Sequence, residues 1–217
     1  HVQADAKGNV RGYIANPNID ISDPIGSISF SKSIGAGFLT ITKDLQLKEP
    51  YTSIIPLQYG EVAKDITYYL TSSEQIPSAL LIGINISQDM KISSAGGILI
   101  QTFPDTPEAS IEIIENNIAN MENSLGNQLE HGEDIYSICS KLCNNNQLDI
   151  TESYPITASC RCSKELLFSV FNNIELSELQ DMHDTDKGAH ITCTFCRKEY
   201  NFTQSELKDI IDHKTSA

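Results

Sequence analysis

The sequence predicts an α+β chain: a mainly antiparallel sheet domain, then a helical linker, then a small cysteine-bearing C-terminal domain. Three observations lead there. Residues 1–104 carry short β-prone runs broken by Gly, Pro, Asn and Asp. After Pro104 the apolar period changes from two to about 3.6. From about Thr151 onward, two close pairs of cysteines stand in a compact module. The boundaries read as 1–104, 105–150 and 151–217.

The chain opens with His1 to Ala6 and Val10 to Ala15 flanking Lys7-Gly8-Asn9, a strand, turn and strand. No signal-peptide progression follows His1, and an opening inside a strand reads as a chain lacking an N-terminal segment. Further strands are expected at Ser27 to Phe30, Phe38 to Lys43, Ile54 to Gln58, Ala79 to Ile86 and Gly97 to Phe103. Period two is plain where Leu39 and Ile41 alternate with Thr40 and Thr42. One helix interrupts them over Gly60 to Ser72, with Val62, Ile66, Tyr69 and Leu70 at helical spacing. Ser73-Glu74-Gln75 reads as a turn or helix-entry feature with a structural role, and Gly96-Gly97 as a site of close backbone approach, since no Lys-Ser/Thr of a phosphate loop follows.

In the linker, Thr106 can cap and Pro107 suits a first helical position. Ile111, Ile114, Ile118, Met121 and Leu125 then form the stripe of one long amphipathic helix, which must lie against something, most simply the β-domain. A shorter helix from about Glu133 to Cys143 places Ile135, Ile138, Cys139 and Leu142 on one face. Cys139 and Cys143 read as core residues of this helix, because i, i+4 cysteines meet disulfide geometry poorly.

The last module runs from a strand into Cys160, through helices near Ser163 to Ile174 and Ser177 to Met182, to a turn at Asp186-Lys187-Gly188. A hairpin carrying Cys193 and Cys196 follows, then a helix capped by Thr203 and Glu206 in a capping box. At this size the module has little core of its own, so a metal or disulfide staple matters.

Composition narrows the function classes. The 217 residues are 40% apolar with net charge −14, which repels a nucleic-acid backbone, and no apolar run reaches membrane-spanning length. No Ser/His/Asp set, phosphate loop or metalloprotease motif supports a hydrolase. The chemistry lies in Cys160-x-Cys162 and Cys193-x-x-Cys196, the layout of a tetrahedral four-thiolate zinc site. The one-residue spacer holds its pair in a narrower chelate, making that half the first to meet an oxidant. A static zinc knuckle, two disulfides of a secreted module, and a thiol-disulfide oxidoreductase or zinc-ribbon nucleic-acid module all remain open on spacing. His183 and His190, among acidic neighbours, read as surface histidines rather than ligands. Zinc keeps thiolates deprotonated, the form oxidants attack, and sulfenic acid can condense with a neighbouring thiol and eject the metal. The composition therefore permits an oxidant-driven conformational switch.

The ordered set of motifs covers essentially the whole chain: Gly8-Asn9-Val10-Arg11-Gly12-Tyr13, Gly37-Phe38-Leu39-Thr40-Ile41-Thr42-Lys43-Asp44, Tyr68-Tyr69-Leu70-Thr71-Ser72-Ser73-Glu74-Gln75-Ile76-Pro77-Ser78 and Gly96-Gly97-Ile98-Leu99-Ile100-Gln101. It ends with Cys160-Arg161-Cys162-Ser163-Lys164-Glu165 and Cys193-Thr194-Phe195-Cys196. In this the chain resembles the bacterial thirty-three-kilodalton heat-shock protein family of redox-regulated holdase chaperones. The resemblance implies a cytoplasmic, ATP-independent chaperone that is inactive while reduced and holding one zinc ion on Cys160, Cys162, Cys193 and Cys196. Oxidation is then expected to pair Cys160 with Cys162 and Cys193 with Cys196, release zinc, unfold the switch domain and destabilise the linker. Unfolding client proteins are the implied partners, with homodimerisation on activation.

Overall fold

A computed structural model describes residues 1–19 and 34–216. Their contacts divide the chain into two compact units, Asn18–Ile150 and His1–Pro17 together with Thr151–Ala217. The first hairpin thus falls with the cysteine module, whereas the sequence partition put it with residues up to 104. The expected strand Ser27 to Phe30 lies outside the described residues.

In the unit Asn18–Ile150, β3 (Phe38–Lys43) pairs antiparallel with β4 (Tyr51–Pro56), from Phe38 opposite Pro56 to Lys43 opposite Tyr51. The strand begins at Tyr51, earlier than the apolar run suggested, because β-prone Tyr51 and Thr52, with Ser53, complete the ladder. Helix α1 (Val62–Ser72) follows, and Asp65 on it is buried. Its carboxylate accepts from the backbone N–H of Gln58 (2.7 Å), Tyr59 (3.0 Å) and Glu61 (3.0 Å), closing the loop that enters the helix. Val62, expected on the apolar stripe, is exposed. Glu74 has the structural role read from its motif: Lys43 on β3 pairs with it at 2.7 Å and the buried Tyr69 hydroxyl donates to it.

Strands β5 (Ser78–Ile86) and β6 (Ile92–Gln101) form an antiparallel ribbon with Gly83 opposite Gly96. The sequence placed β6 later because Ser93, Ser94 and Ala95 carry no apolar signal. Ser93 and Ser94 are small and polar because a helix lies on them. Ser94 donates its hydroxyl to Gly126 O (2.8 Å) and Ser93 to Glu130 (2.8 Å). A Cβ at Gly83 would stand 2.2 Å from Gly126 N, and one at Gly96 2.5 Å from Leu129 Cδ1, so backbone and helix approach as only glycine allows.

The C-terminal half of the linker stripe packs with this ribbon: Leu125, Ile138, Leu142 and Ile98 form a buried cluster joined by Leu81, Ile118, Met121 and Cys139, and Ile111 and Ile114 are not in it. The expected single long helix is two, α2 (Glu108–Ala119) and α3 (Leu125–Glu130). Pro107 sits at the N-cap of α2 rather than inside it, and Ser124 caps α3 by accepting from Asn127 N. The break lets Leu125 and Gly126 drop onto β5, a turn in direction that period counting cannot see. Helix α4 (Ile135–Leu142) is capped by Asp134, with Ile138 and Leu142 buried and Ile135 largely exposed.

In the other unit, β1 (Val2–Ala4) and β2 (Asn9–Gly12) form an antiparallel hairpin, and β2 pairs parallel with β7 (Thr157–Ala158). Helices α5 (Lys164–Phe171) and α6 (Leu176–Asp184), the hairpin β8 (Gly188–Thr192) and β9 (Glu199–Thr203), and α7 (Gln204–Ser216) complete it. The capping box forms as read: Glu206 accepts from Thr203 N at 2.8 Å, and Glu206 N donates to the Thr203 hydroxyl at 3.3 Å. The module holds more core than its size suggested. Phe171, Leu179, Tyr200, Phe202, Leu207 and Ile210 are all buried, with Phe171 and Phe168 edge-on to Phe202. Among the described residues no helix is long and apolar enough to cross a membrane.

Candidate metal centre

β7 leads directly into Cys160 and Cys162, after which Ser163 caps α5 by accepting from Leu166 N (3.1 Å). Cys193 and Cys196 lie in the β8–β9 connection. There Cys193 N donates to Lys198 O (2.9 Å) and Arg197 N to Cys193 O (2.8 Å), with Arg197 itself at φ +60°. This tight turn is what the two-residue spacer requires, and the N–H groups of Cys196 and Phe195 donate to the Cys193 sulfur.

The two pairs converge. All four Sγ atoms lie within 4.8 Å of one another, with Cys160 to Cys162 at 3.4 Å, Cys160 to Cys193 at 3.6 Å and Cys162 to Cys196 at 3.3 Å. Four sulfurs at 2.3 Å around a tetrahedral zinc ion are separated by about 3.8 Å, whereas a disulfide brings two to about 2.05 Å. The observed spacing therefore suits a metal-sized hole, and soft thiolates in a set of four suit zinc. Among the described residues no other group of three or more His, Cys, Asp or Glu side chains converges in this way.

Electrostatics favour a cation here. The Cys162 backbone N–H, helped by the Cys162 thiol, draws Cys160 down to about 6. Cys193 is lowered too, first by the Cys196 N–H. Cys162 feels the downward pull of the Tyr200 hydroxyl most strongly, yet the neighbouring Cys196 and Cys160 sulfurs and burial push it up to about 12. Sulfurs this close cannot all ionise unaided, and a divalent cation among them removes that conflict. Tyr200, buried in the module core, donates to both the carbonyl (3.0 Å) and the sulfur (3.1 Å) of Cys162, which raises its own pKa and ties core to cluster.

The other sulfur and imidazole candidates stand apart from this cluster. His183 Nδ1 meets Asp184 at 2.6 Å and His190 Nδ1 meets Asn201 at 2.7 Å. Cys139 packs with Ile138 and Leu142, and burial, then Cys143, raises its pKa. Sequence reasoning missed Tyr200 and Arg11. The Arg11 guanidinium lies 4.0 Å from Cys160 Sγ and 4.2 Å over the Phe195 ring. Cys160 is 149 positions from Arg11, so no local pattern could have joined them.

The model of the Hsp33 protein family matches residues 1–203. The 33 kDa chaperonin of Desulforamulus reducens is 36% identical over 211 residues, which are 97% of this chain and 71% of that protein. The 33 kDa chaperonin of Enterococcus faecalis is 33% identical over 213 residues, again 97% and 71%. The crystal structure of the 33 kDa chaperonin (heat shock protein 33 homologue) of Thermotoga maritima superposes with a TM-score of 0.88 at 30% identity, covering 100% of this chain and 73% of that one.

Proposed function

The chain belongs to the Hsp33 protein family, and on that premise we propose that it is a redox-regulated, ATP-independent holdase chaperone, cytoplasmic and without enzymatic activity. The observation that carries this reading is the convergence of four sulfurs, from two distant pairs, into one metal-sized site. In the reduced protein Cys160, Cys162, Cys193 and Cys196 would hold one zinc ion. Zinc bound there keeps the sulfurs deprotonated and joins the segment after β7 to the β8–β9 turn.

Those thiolates are also the groups an oxidant meets. A thiolate attacks one oxygen of a peroxide, the O–O bond breaks, and hydroxide leaves as the sulfur becomes a sulfenic acid. A neighbouring thiolate attacks that sulfur, an S–S bond forms, and a second hydroxide departs. The two thiolates that form each disulfide thus give two electrons to one peroxide, which with two protons ends as two waters. Pairing Cys160 with Cys162 and Cys193 with Cys196 would use all four donors. The binding free energy that held the module would go with them, and apolar surface would become available to unfolding clients, with homodimerisation accompanying activation.

The test follows zinc release, helicity and light scattering of a heated client together, as peroxide under mildly unfolding conditions or hypochlorous acid is added. Zinc should leave, helicity should fall and aggregation should be suppressed without ATP, with reversal by reductant and zinc. A reduced, zinc-loaded protein that holds clients as well as the oxidised one would reduce the cluster to a static staple.

A further inference from the structure

We propose that Arg11 is a positioning residue that couples the β1–β2 hairpin to the four-cysteine cluster, so that the hairpin stays seated only while the sulfurs are in place. This rests on the metal-centre reading above for its charge argument, and on geometry for the rest.

The hairpin has little to hold it by itself. Every residue of β1 is exposed, and an isolated two-stranded hairpin is marginal in water. What holds it converges on the cysteines. Thr157 N donates to Gly8 O (2.9 Å) and Ser159 N to Val10 O (3.0 Å), so the backbone running into Cys160 is clipped to β2. Gly8, at φ +81°, makes this approach possible, because a Cβ there would stand 2.3 Å from Pro155 O. Arg161, between the first two cysteines, pairs with Asp5 at 2.5 Å, and Asp5 also accepts from Lys7 N (2.9 Å) and Asn9 N (3.0 Å) to set the hairpin turn.

Arg11 joins both cysteine pairs at once. Its Nε donates to Gln3 on β1 at 2.7 Å, which orients the guanidinium. One face then stacks on Phe195, the residue between Cys193 and Cys196, while Nη1 points at Cys160 Sγ. Tyr13 closes on the same Phe195 ring edge-on, with centroids 5.2 Å apart and planes at 89°. Four thiolates around a divalent ion carry a surplus of two negative charges, and Arg11 is a cation beside them. Loss of the thiolates removes the charge Arg11 faces, and movement of the Cys193–Cys196 turn removes the ring it stacks on.

The experiment compares Arg11→Met, which keeps the aliphatic stem, and Arg11→Lys, which keeps the charge without the planar stack. Two quantities are read in the reduced protein well below its melting point: zinc transfer to a chromophoric chelator, and hydrogen exchange at the amides of Thr157 and Ser159. We expect each variant to retain zinc, Arg11→Met to lose it about tenfold faster, the low end of effects on outer-shell partners, and both amides to exchange faster. Arg11→Lys should fall between. Transfer and exchange within twofold of wild type in Arg11→Met would overturn the proposal, as would equal effects of Met and Lys confined to the melting temperature. A wild type that takes up no zinc would overturn the metal reading instead. Exchange at Thr157 and Ser159, compared between wild type and Arg11→Met, would still decide the role of Arg11.

Discussion

Leu179→Ala separates what the core of the cysteine module contributes from what a metal contributes. Leu179 is fully buried in the cluster with Phe171, Tyr200, Phe202, Leu207 and Ile210. Its neighbours are rings and side chains fixed on α5, β9 and α7, so the site cannot collapse around an alanine, and the loss should be about 4 kcal/mol. For a unit of under a hundred residues that corresponds to a melting midpoint lower by about 15–30 °C. Zinc in small metal-dependent modules is worth about 10–16 kcal/mol of apparent folding free energy. The zinc-loaded variant should therefore stay folded at 25 °C, whereas the chelated variant should unfold and hold clients without any oxidant. Chelated wild type should lie between, because its six-residue core remains. Circular dichroism melts with and without chelator, read beside client light scattering, make the comparison. A zinc-loaded variant already unfolded at 25 °C, or a chelator that shifts neither protein's midpoint, would refute the reasoning.

Cys196→Ser should abolish stoichiometric zinc binding, since His183 and His190 are engaged with Asp184 and Asn201; full zinc content by metal analysis would contradict the four-sulfur assignment. Cys139→Ala and Cys143→Ala should leave zinc content and oxidant response intact, with a loss of about 1 kcal/mol at the packed Cys139; a Cys139–Cys143 bond required for activation, found by peptide mapping, would reverse this reading. Lys164 above all, then the Thr203 N–H, lowers Glu206 from 4.5 to about 2. A depressed folded-state value stabilises above the unfolded value and is lost as pH falls toward the folded one, so Glu206→Gln should lower stability at neutral pH and flatten the acid limb between about 4.5 and 2. An unchanged slope, measured on chelated protein so that metal-ligand protonation does not intrude, would show that Glu206 is not coupled to folding.

Some of this architecture is written in short-range pattern. The β3 ladder follows from Leu39 and Ile41 alternating with threonines, and the start of α7 from Thr203 and Glu206, because strand faces repeat every two residues and capping partners lie three apart. The same holds for the cysteine spacing, since a tight turn can be recognised from the residues it contains. Elements whose residues look polar or small were misplaced. β6 begins at Ile92 because its serines serve α3, and Asp65 is buried because three backbone N–H groups need it.

The sequence by itself determined the fold class, the family and the spacing of the two cysteine pairs. Only the tertiary structure decided that one linker helix is two, that Gly83 and Gly126 meet, that Tyr200 joins core to cluster, and that the first hairpin sits with the last module, its Arg11 between Cys160 and Phe195. The reason is physical. Periodicity, caps and chelate spacings report interactions within a few residues, where chain geometry restricts the choices. Which distant surfaces meet is settled by packing, close backbone approach and charge pairing, whose partners leave no mark on each other's local sequence.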